Sequence, residues 1–595
     1  MALADVTMHE RLKVIRNHLI LHSRVQKNDY DYTQRVERKV LFTPSSVRGE
    51  LVDALHTGLA EVGVIDVELE PPPKGLEEEY ATLLTPAAVK FVADLTRHFN
   101  SQVDLMLKER IRKKVELDIS GHLPKFSRNP QAQDENWKVA PVPRRVISRS
   151  LDLGDVSPSN TDKFVEALQC DVNGIQTDFD DGHCPTWQGQ LRGLHNVYKA
   201  VFGLFPGIGD ISQVPVLMLR PRAWNMIEHN MLVDGKEVPG PLFDFGLLMF
   251  HCASRLLAAE SGPFFYLSKL EGANEARVWN NIFCWAQEKL DIPQGTIKAC
   301  VLIENILASF EMEEILYELR NHSLGLNCGI WDYSASFVNK FGHRSDFVLP
   351  DRNKYVNMQR HFLRCYMNLV IHICHKRGAH ATGGMAATIL ESRDLNIVTK
   401  VVESKMREWL AGADGFMVYD VRLVPVMRKM MPKAKFTNQI HNLRDDVRVT
   451  AEDLLEMPSG GVTLEGLKHN IAVGILFIDS WLQGKGHYIY KAAVEDSATA
   501  EISRSQVWQW IRHRAVLEDS KEVISRGLVQ KLMKDFVDSA ITSGDLVHTD
   551  NDRERLQAAA EIFEEVVTKR DFPEFLTTYL NLDHTFLSYQ KNYSV

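Results

Sequence analysis

Two carboxylates each follow an apolar run: Glu304 in VLIEN and Asp332 in CGIWDY. If those runs are neighbouring strands, both acids face one cavity. Hard oxygen donors in small number, with room left for water and substrate oxygens, suit Mg2+. A buried carboxylate without a cation or strong donors tends to stay protonated. Capping a following helix or pairing with an arginine would serve the same residues as well. Arg220, in VLMLRPRAW, also ends an apolar run. Its fixed guanidinium charge suits a developing oxyanion, or equally a structural ion pair with strand-end acids. Arg222, two residues on, is a candidate structural partner. Asp496, in VEDSATAEISRSQ, precedes a helical pattern, where capping is the default role. His372, Cys374, His375 and His380 crowd HICHKRGAH. They lack a zinc spacing with a matching distant pair and are assigned no metal. Gly383-Gly384 reads as a close backbone approach at a strand end.

Elements that would hold these groups follow from the apolar pattern. Short apolar runs RRVISRSL, GIQTDFD, PVLMLRPR, PFFYLSKLE, KACVLIEN, LGLNCGIWD, GAHATGG and GFMVYDV alternate with amphipathic stretches such as LFDFGLLMFHCASRLLAAE. Eight strand-like runs alternating with helices predict a (β/α)8 barrel. Chemistry in such barrels sits at the carboxyl ends of the strands, where Asp178, Arg220, Glu304 and Asp332 fall. Residues 1–75 read as an extension closed by Pro71-Pro72-Pro73. Residues 76–136 read as helical, with Thr85-Pro86 as a helix start and Leu84, Val89, Phe91, Val92 and Leu95 as the apolar stripe. The barrel spans 137–436, and 437–595 is mostly helical.

A net charge of −9 and a pI near 6.2 argue against a nucleic-acid binder. No run is long and apolar enough to span a membrane. Eight scattered cysteines read as reduced, packed thiols. Arg11, Leu12, His18 and Leu19, with Ile15 between, resemble an amino-terminal peroxisomal import signal that an import receptor would read; a plain amphipathic helix would show the same spacing.

Together the chemical segments resemble the malate synthases, specifically the shorter class of plants, fungi and bacteria. The matching stretches are LRPRAW, GPLFDFGL, GPFFYLSKLE, GTIKACVLIENILASFEMEEILYELR, LGLNCGIWDY, FVLPDR, CHKRGAHATGGMAA, VRVTAEDLL and EDSATAEISRSQVWQWIRH. The resemblance implies a TIM barrel with an N-terminal helical clasp and a C-terminal helical plug. It implies an Mg2+-dependent acyltransferase of the glyoxylate cycle, which condenses acetyl-CoA with glyoxylate and hydrolyses malyl-CoA to malate and CoA. By the same resemblance, Glu304 and Asp332 bind the metal, Asp496 takes the acetyl proton and Arg220 stabilises the enolate. Backbone amides of Gly329, Ile330, Trp331 and Asp332 would seat the glyoxylate carboxylate.

Some positions depart from the family. Ile330 stands where Arg is usual. Asp-Phe-Glu-Asp becomes Asp178-Phe179-Asp180-Asp181, whose shortened acid would support the metal's outer shell. Ala-His-Pro-Gly becomes Tyr419-Asp420-Val421-Arg422, and Gly-Cys-Val-Pro becomes Gly486-His487-Tyr488-Ile489. Both loops belong by resemblance to the acyl-CoA side. Two other readings therefore stand beside the first. One is a glyoxylate-using paralogue with another acyl-CoA donor, or with malyl-CoA lyase- or thioesterase-like activity. The other is a non-catalytic binding paralogue.

Overall fold

The computed structural model describes residues 47–390, 395–430, 438–544 and 546–581. The import-signal-like segment at Arg11–Leu19 lies outside them. Eight strands close into a barrel: β1 Leu151–Val156, β2 Gly174–Asp178, β3 Val216–Arg220, β4 Phe264–Leu267, β5 Lys298–Ile303, β6 Ser323–Cys328, β7 His380–Ala386 and β8 Gly415–Val418. Every neighbouring pair is parallel, in chain order, with β8 returning to β1. Two expectations shift. The first strand is not RRVISRSL: Arg144–Val146 form a 3-10 turn. Arg145 reaches sideways there to Ile211 O and Ser261 Oγ, and the fully buried LDLGDV run takes the barrel position instead. The sixth strand stops at Cys328, so Asp332 lies in the first turn of the next helix rather than on a strand end.

Period-two alternation sorts the strand residues. Val216, Met218, Phe264, Tyr266, Cys300, Leu302 and Leu324 form a cluster of their own, filling the barrel interior. The alternate residues Leu217, Leu219, Phe265, Leu267, Ala299, Val301 and Ile303 join the main core beneath the outer helices. Extending the inward parity to the carboxyl end lands on Arg220, Ser268 and Glu304. The site residues of β3, β4 and β5 are thus the next inward positions of strands whose lower positions are packed apolar core.

Helix α1, Pro86–Ser120, straps the outside of the barrel. Thr85 caps it, accepting from Ala88 N at 3.2 Å, with Pro86 at the first helical position. Val89, Phe91, Val92 and Leu95 are buried. Within the preceding extension, Val67–Leu69 pairs antiparallel with Ile227–Val233, and Pro71 O accepts from Trp187 Nε1. Helix α2 is Ile330–Phe341. The C-terminal domain has its own core, built on α3 (Leu464–Leu482) and α4 (Ser497–Arg512) with Asp550–Thr568. Helix α4 packs along α2, bringing the C-terminal domain over the barrel mouth. The eight cysteines are free thiols. Among the described residues no helix is long and apolar enough to cross a membrane.

Candidate active site

Arg220 is the hub of the mouth. Its Nε donates to Ser268 Oγ at 2.6 Å and its Nη2 to Asp181 Oδ2. Asp155, Asp178, Asp180 and Glu304 surround the same guanidinium within 4.0 Å. Lys269 follows β4 in a left-handed backbone conformation, φ 55°. That turn aims its Nζ inward, at 2.8 Å from Asp180, 2.7 Å from Asp181 and 3.3 Å from Asp332. The Lys269 amide donates to Glu304 Oε1 at 2.7 Å. Six buried carboxyls therefore share two buried cations, and acids are in excess.

Three of these acids converge. Carboxylate oxygens of Asp181, Glu304 and Asp332 lie within 4.8 Å of one another, and all three residues are buried. Neither oxygen of Asp332 accepts a hydrogen bond, although Lys269 Nζ stands 3.3 Å from its Oδ2. An unsatisfied buried carboxylate costs several kcal/mol unless it is neutralised or given a cation. Burial pushes Glu304 up to about 7, against the pull of Lys269 and Arg220, and pushes Asp332 well above the usual range. Burial also raises Asp178, to about 6. For Asp181, burial is outweighed by Arg220 and Lys269, which hold it below the usual range. Burial opposes the charge on Arg220 and Lys269, but the surrounding acids hold both well above their ordinary values. Three convergent oxygen donors fit a hard divalent cation. Glycine at 329 leaves them room, since a Cβ there would crowd Glu304, 3.0 Å from its Oε2.

The start of α2 supplies donors. Tyr333 N bonds Gly329 O in the regular helical pattern, so Ile330, Trp331 and Asp332 carry the unpaired amides of the first turn. Such amides seat an anion. The Gly329 amide differs from the other three: it donates to Tyr366 Oη at 3.0 Å, and the same hydroxyl donates to Ile303 O.

Asp496 reaches the mouth from the C-terminal domain. It caps α4 through a capping box with Thr499, its Oδ1 accepting from Thr499 N at 3.0 Å. The next residue, Ser497, donates through Oγ to Asp181 Oδ1. Capping and presentation at the site therefore coexist in one residue. Beside it, Tyr419 Oη takes a hydrogen bond from Lys163 Nζ, and its ring faces His487, 5.9 Å between centroids. The histidine-rich segment serves packing: His375 bridges Asp414 and Asn442 O, and His372 bonds Leu443 O.

Sequence reasoning brought Arg220, Glu304, Asp332 and Asp496 forward, and the fold gathers all four. It missed Asp181 as a third converging donor, Lys269 and Asp155. Lys269 had a signal in its place one residue beyond Ser268, in SKLE at a strand end.

Family models match three consecutive parts of the chain: "Malate synthase, N-terminal domain" at 73–129, "Malate synthase, TIM barrel domain" at 216–457 and "Malate synthase, C-terminal" at 461–583. A malate synthase of Myxococcus xanthus is 41% identical over 518 residues, 84% of this chain and 93% of its own. One from Dictyostelium discoideum is 37% identical, over 84% of this chain and 95% of its own. A glyoxysomal malate synthase of Glycine max is 39% identical, over 73% of this chain and 80% of its own.

Proposed function

Because the chain belongs to the malate synthase family, we propose that it joins acetyl-CoA to glyoxylate and hydrolyses the malyl-CoA formed to malate and CoA. The observation that carries this reading is the convergence of Asp181, Glu304 and Asp332 beside Arg220, with Asp496 delivered from the other domain. Mg2+ held by Glu304 and Asp332, with Asp181 as a third donor, would supply a Lewis acid that polarises the aldehyde. The free amides of Ile330, Trp331 and Asp332 orient the glyoxylate carboxylate. The Asp496 carboxylate takes a proton from the acetyl methyl group; the C–H bond breaks, an O–H bond forms, and the electron pair passes into the enolate. Arg220 faces that developing oxyanion with its charge fixed by Ser268 and Asp181. A weakly acidic thioester α-proton needs both effects at once. The enolate carbon then attacks the aldehyde, and water hydrolyses the thioester. Placing the base on one domain and the metal donors on the other makes domain closure the step that excludes water.

Purified protein with Mg2+, glyoxylate and acetyl-CoA should release free CoA, and omission of any one should stop it. Absence of CoA release in the complete mixture sinks the reading. A second reading, a different acyl-CoA donor, is favoured by Lys163, Tyr419 and His487 meeting on the acyl side in place of the family's loops. Preference for acetyl-CoA in a panel of acyl-CoA donors would dispose of it. Import into peroxisomes through Arg11–Leu19 is supported by the glyoxysomal designation of the Glycine max relative. A reporter fused to that segment should become punctate; a diffuse signal counts against import.

A further inference from the structure

A cluster of metal-binding side chains lies outside the active site and has no part in the chemistry above. The helix His361–Lys376 covers the outside of the barrel, between β6 and β7 in the chain. His361 and Cys365 are four residues apart on it, so both side chains stand on one face. The short helix Ala451–Leu455 packs against it, in the connector that leads from the barrel to the C-terminal domain. A capping box fixes Asp453: its Oδ2 accepts from Thr450 N at 2.8 Å, and Thr450 Oγ1 accepts from Asp453 N at 3.2 Å. The other oxygen, Oδ1, is thereby held 2.8 Å from His361 Nε2. Cys365 Sγ lies 3.5 Å from the same nitrogen. One ligand atom from each of the three residues falls within 4.8 Å of the other two. Glu456 Oε2, from the residue that ends the short helix, stands 3.9 Å from His361 Nε2.

We propose that His361, Cys365 and Asp453 form a second metal site, for a zinc-type divalent ion, with Glu456 or water in the fourth position. Donor chemistry separates it from the active site. Asp181, Glu304 and Asp332 offer only oxygen, which suits Mg2+. An imidazole and a thiol beside a carboxylate select a softer ion. Tetrahedral zinc bonds set ligand atoms about 3.3 Å apart for N and O, and about 3.5 Å apart for N and S. The distance between Cys365 Sγ and His361 Nε2 already has that value. The 2.8 Å contact with Asp453 must open by about 0.5 Å, a small rotation for side chains that are 38% and 28% exposed. As the sulfur–metal bond forms, the Cys365 thiol releases its proton to solvent, and His361 keeps its single proton on Nδ1. A reactive-thiol role is disfavoured, because burial and then the Asp453 carboxylate raise Cys365 above the ordinary thiol range. A bound ion fastens the connector to the barrel wall, where Leu454 already packs into the main core. The site stands independently of the roles assigned at the barrel mouth.

The test titrates the full chain, reduced, stripped with chelator and then saturated with Mg2+, with Co2+ as a spectroscopic stand-in for Zn2+. The wild type should develop thiolate-to-cobalt charge-transfer absorption, and added Zn2+ should abolish it. Co2+ entering the all-oxygen site gives no such band. Cys365→Ser should lose the band. His361→Gln and Asp453→Asn, the second of which keeps a capping side chain, should each raise the Kd for Co2+ by at least about 10- to 100-fold. Circular dichroism checks that each variant is folded. A wild type without the band overturns the proposal and needs no variant to do so. A band that survives in folded Cys365→Ser overturns it too. So does a Kd unmoved by both His361→Gln and Asp453→Asn, which would mark a thiol binding cobalt alone.

Discussion

Arg220 and Arg222 leave the end of β3 two residues apart, and both are buried, but they serve networks of opposite kind. Arg222 donates to both oxygens of Asp244 and to Glu228, whose other oxygen accepts from Asn230. Every carboxylate oxygen in that set has a donor. Arg220 sits among more acids than it and Lys269 can neutralise, and Asp332 and Asp155 keep oxygens with no donor. The closed network is a buttress under the loop after β3. The open one has room for an added cation and for substrate oxygens. Buried charge alone does not distinguish structure from function; unsatisfied donors and acceptors do.

The largest expected effect tests the open side. Glu304→Gln and Asp332→Asn each remove one converging donor and should lower CoA release by about 100- to 1000-fold. Calorimetric titration with Mg2+ should show the binding heat lost in the same variants. Wild-type turnover with either would reduce the cluster to a structural one. The counterpart on the closed side is Arg222→Met. Leaving Asp244 and Glu228 without their cation should destabilise the fold by about 3–5 kcal/mol, while kcat of the protein that remains folded is unchanged. Denaturant unfolding and active-site-normalised rates read the two separately; a large fall in kcat with stability intact would erase the distinction between the two arginines.

A smaller effect sharpens the same contrast. A ligand that binds only the folded state adds about 2.7 kcal/mol at a hundredfold excess over its Kd. Mg2+ should raise the Tm of the wild type and of Arg222→Met alike, but not that of Asp332→Asn. An equal rise in Asp332→Asn would move the cation elsewhere.

Much of the open network is legible in the sequence because strand ends are legible. Glu304 and Arg220 each close a continuous apolar run that reads as a buried strand, and barrel chemistry gathers at such ends. Asp332 is misplaced by that logic, since the helix begins immediately after Gly329 and the residue arrives from a first turn. Asp155 is hidden because a bulge breaks the parity that would have exposed it. Lys269 is hidden because its left-handed backbone reverses the direction that parity implies. Asp496 shows only as a helix cap: no local pattern reports that the capped helix lies across the mouth of another domain. Local periodicity thus recovers what regular strands position, and loses what bulges, turns and interdomain packing position.

The smallest predicted effect concerns pH and the metal-free protein. Burial raises Glu304 to about 7, above the usual glutamate range it has when unfolded. Between those two values the folded state holds a proton that the unfolded state has released, so this group favours the fold at the acid end. That contribution fades as pH rises through about 7, where an ionised Glu304 must sit beside Asp181 and Asp332. Glu304→Gln removes the titration and the repulsion but keeps an acceptor for the Lys269 amide. In chelator, its stability relative to the wild type should therefore improve between pH 5 and pH 8, by on the order of 1–2 kcal/mol. Urea unfolding at the two pH values measures this directly. Arg222→Met should drift the other way, losing further stability towards pH 8, because burial of Asp244 would no longer be opposed by its cation. If Glu304→Gln lost stability at pH 8 instead, Lys269 and Arg220 would be neutralising the cluster fully, and the open network would be as closed as its neighbour.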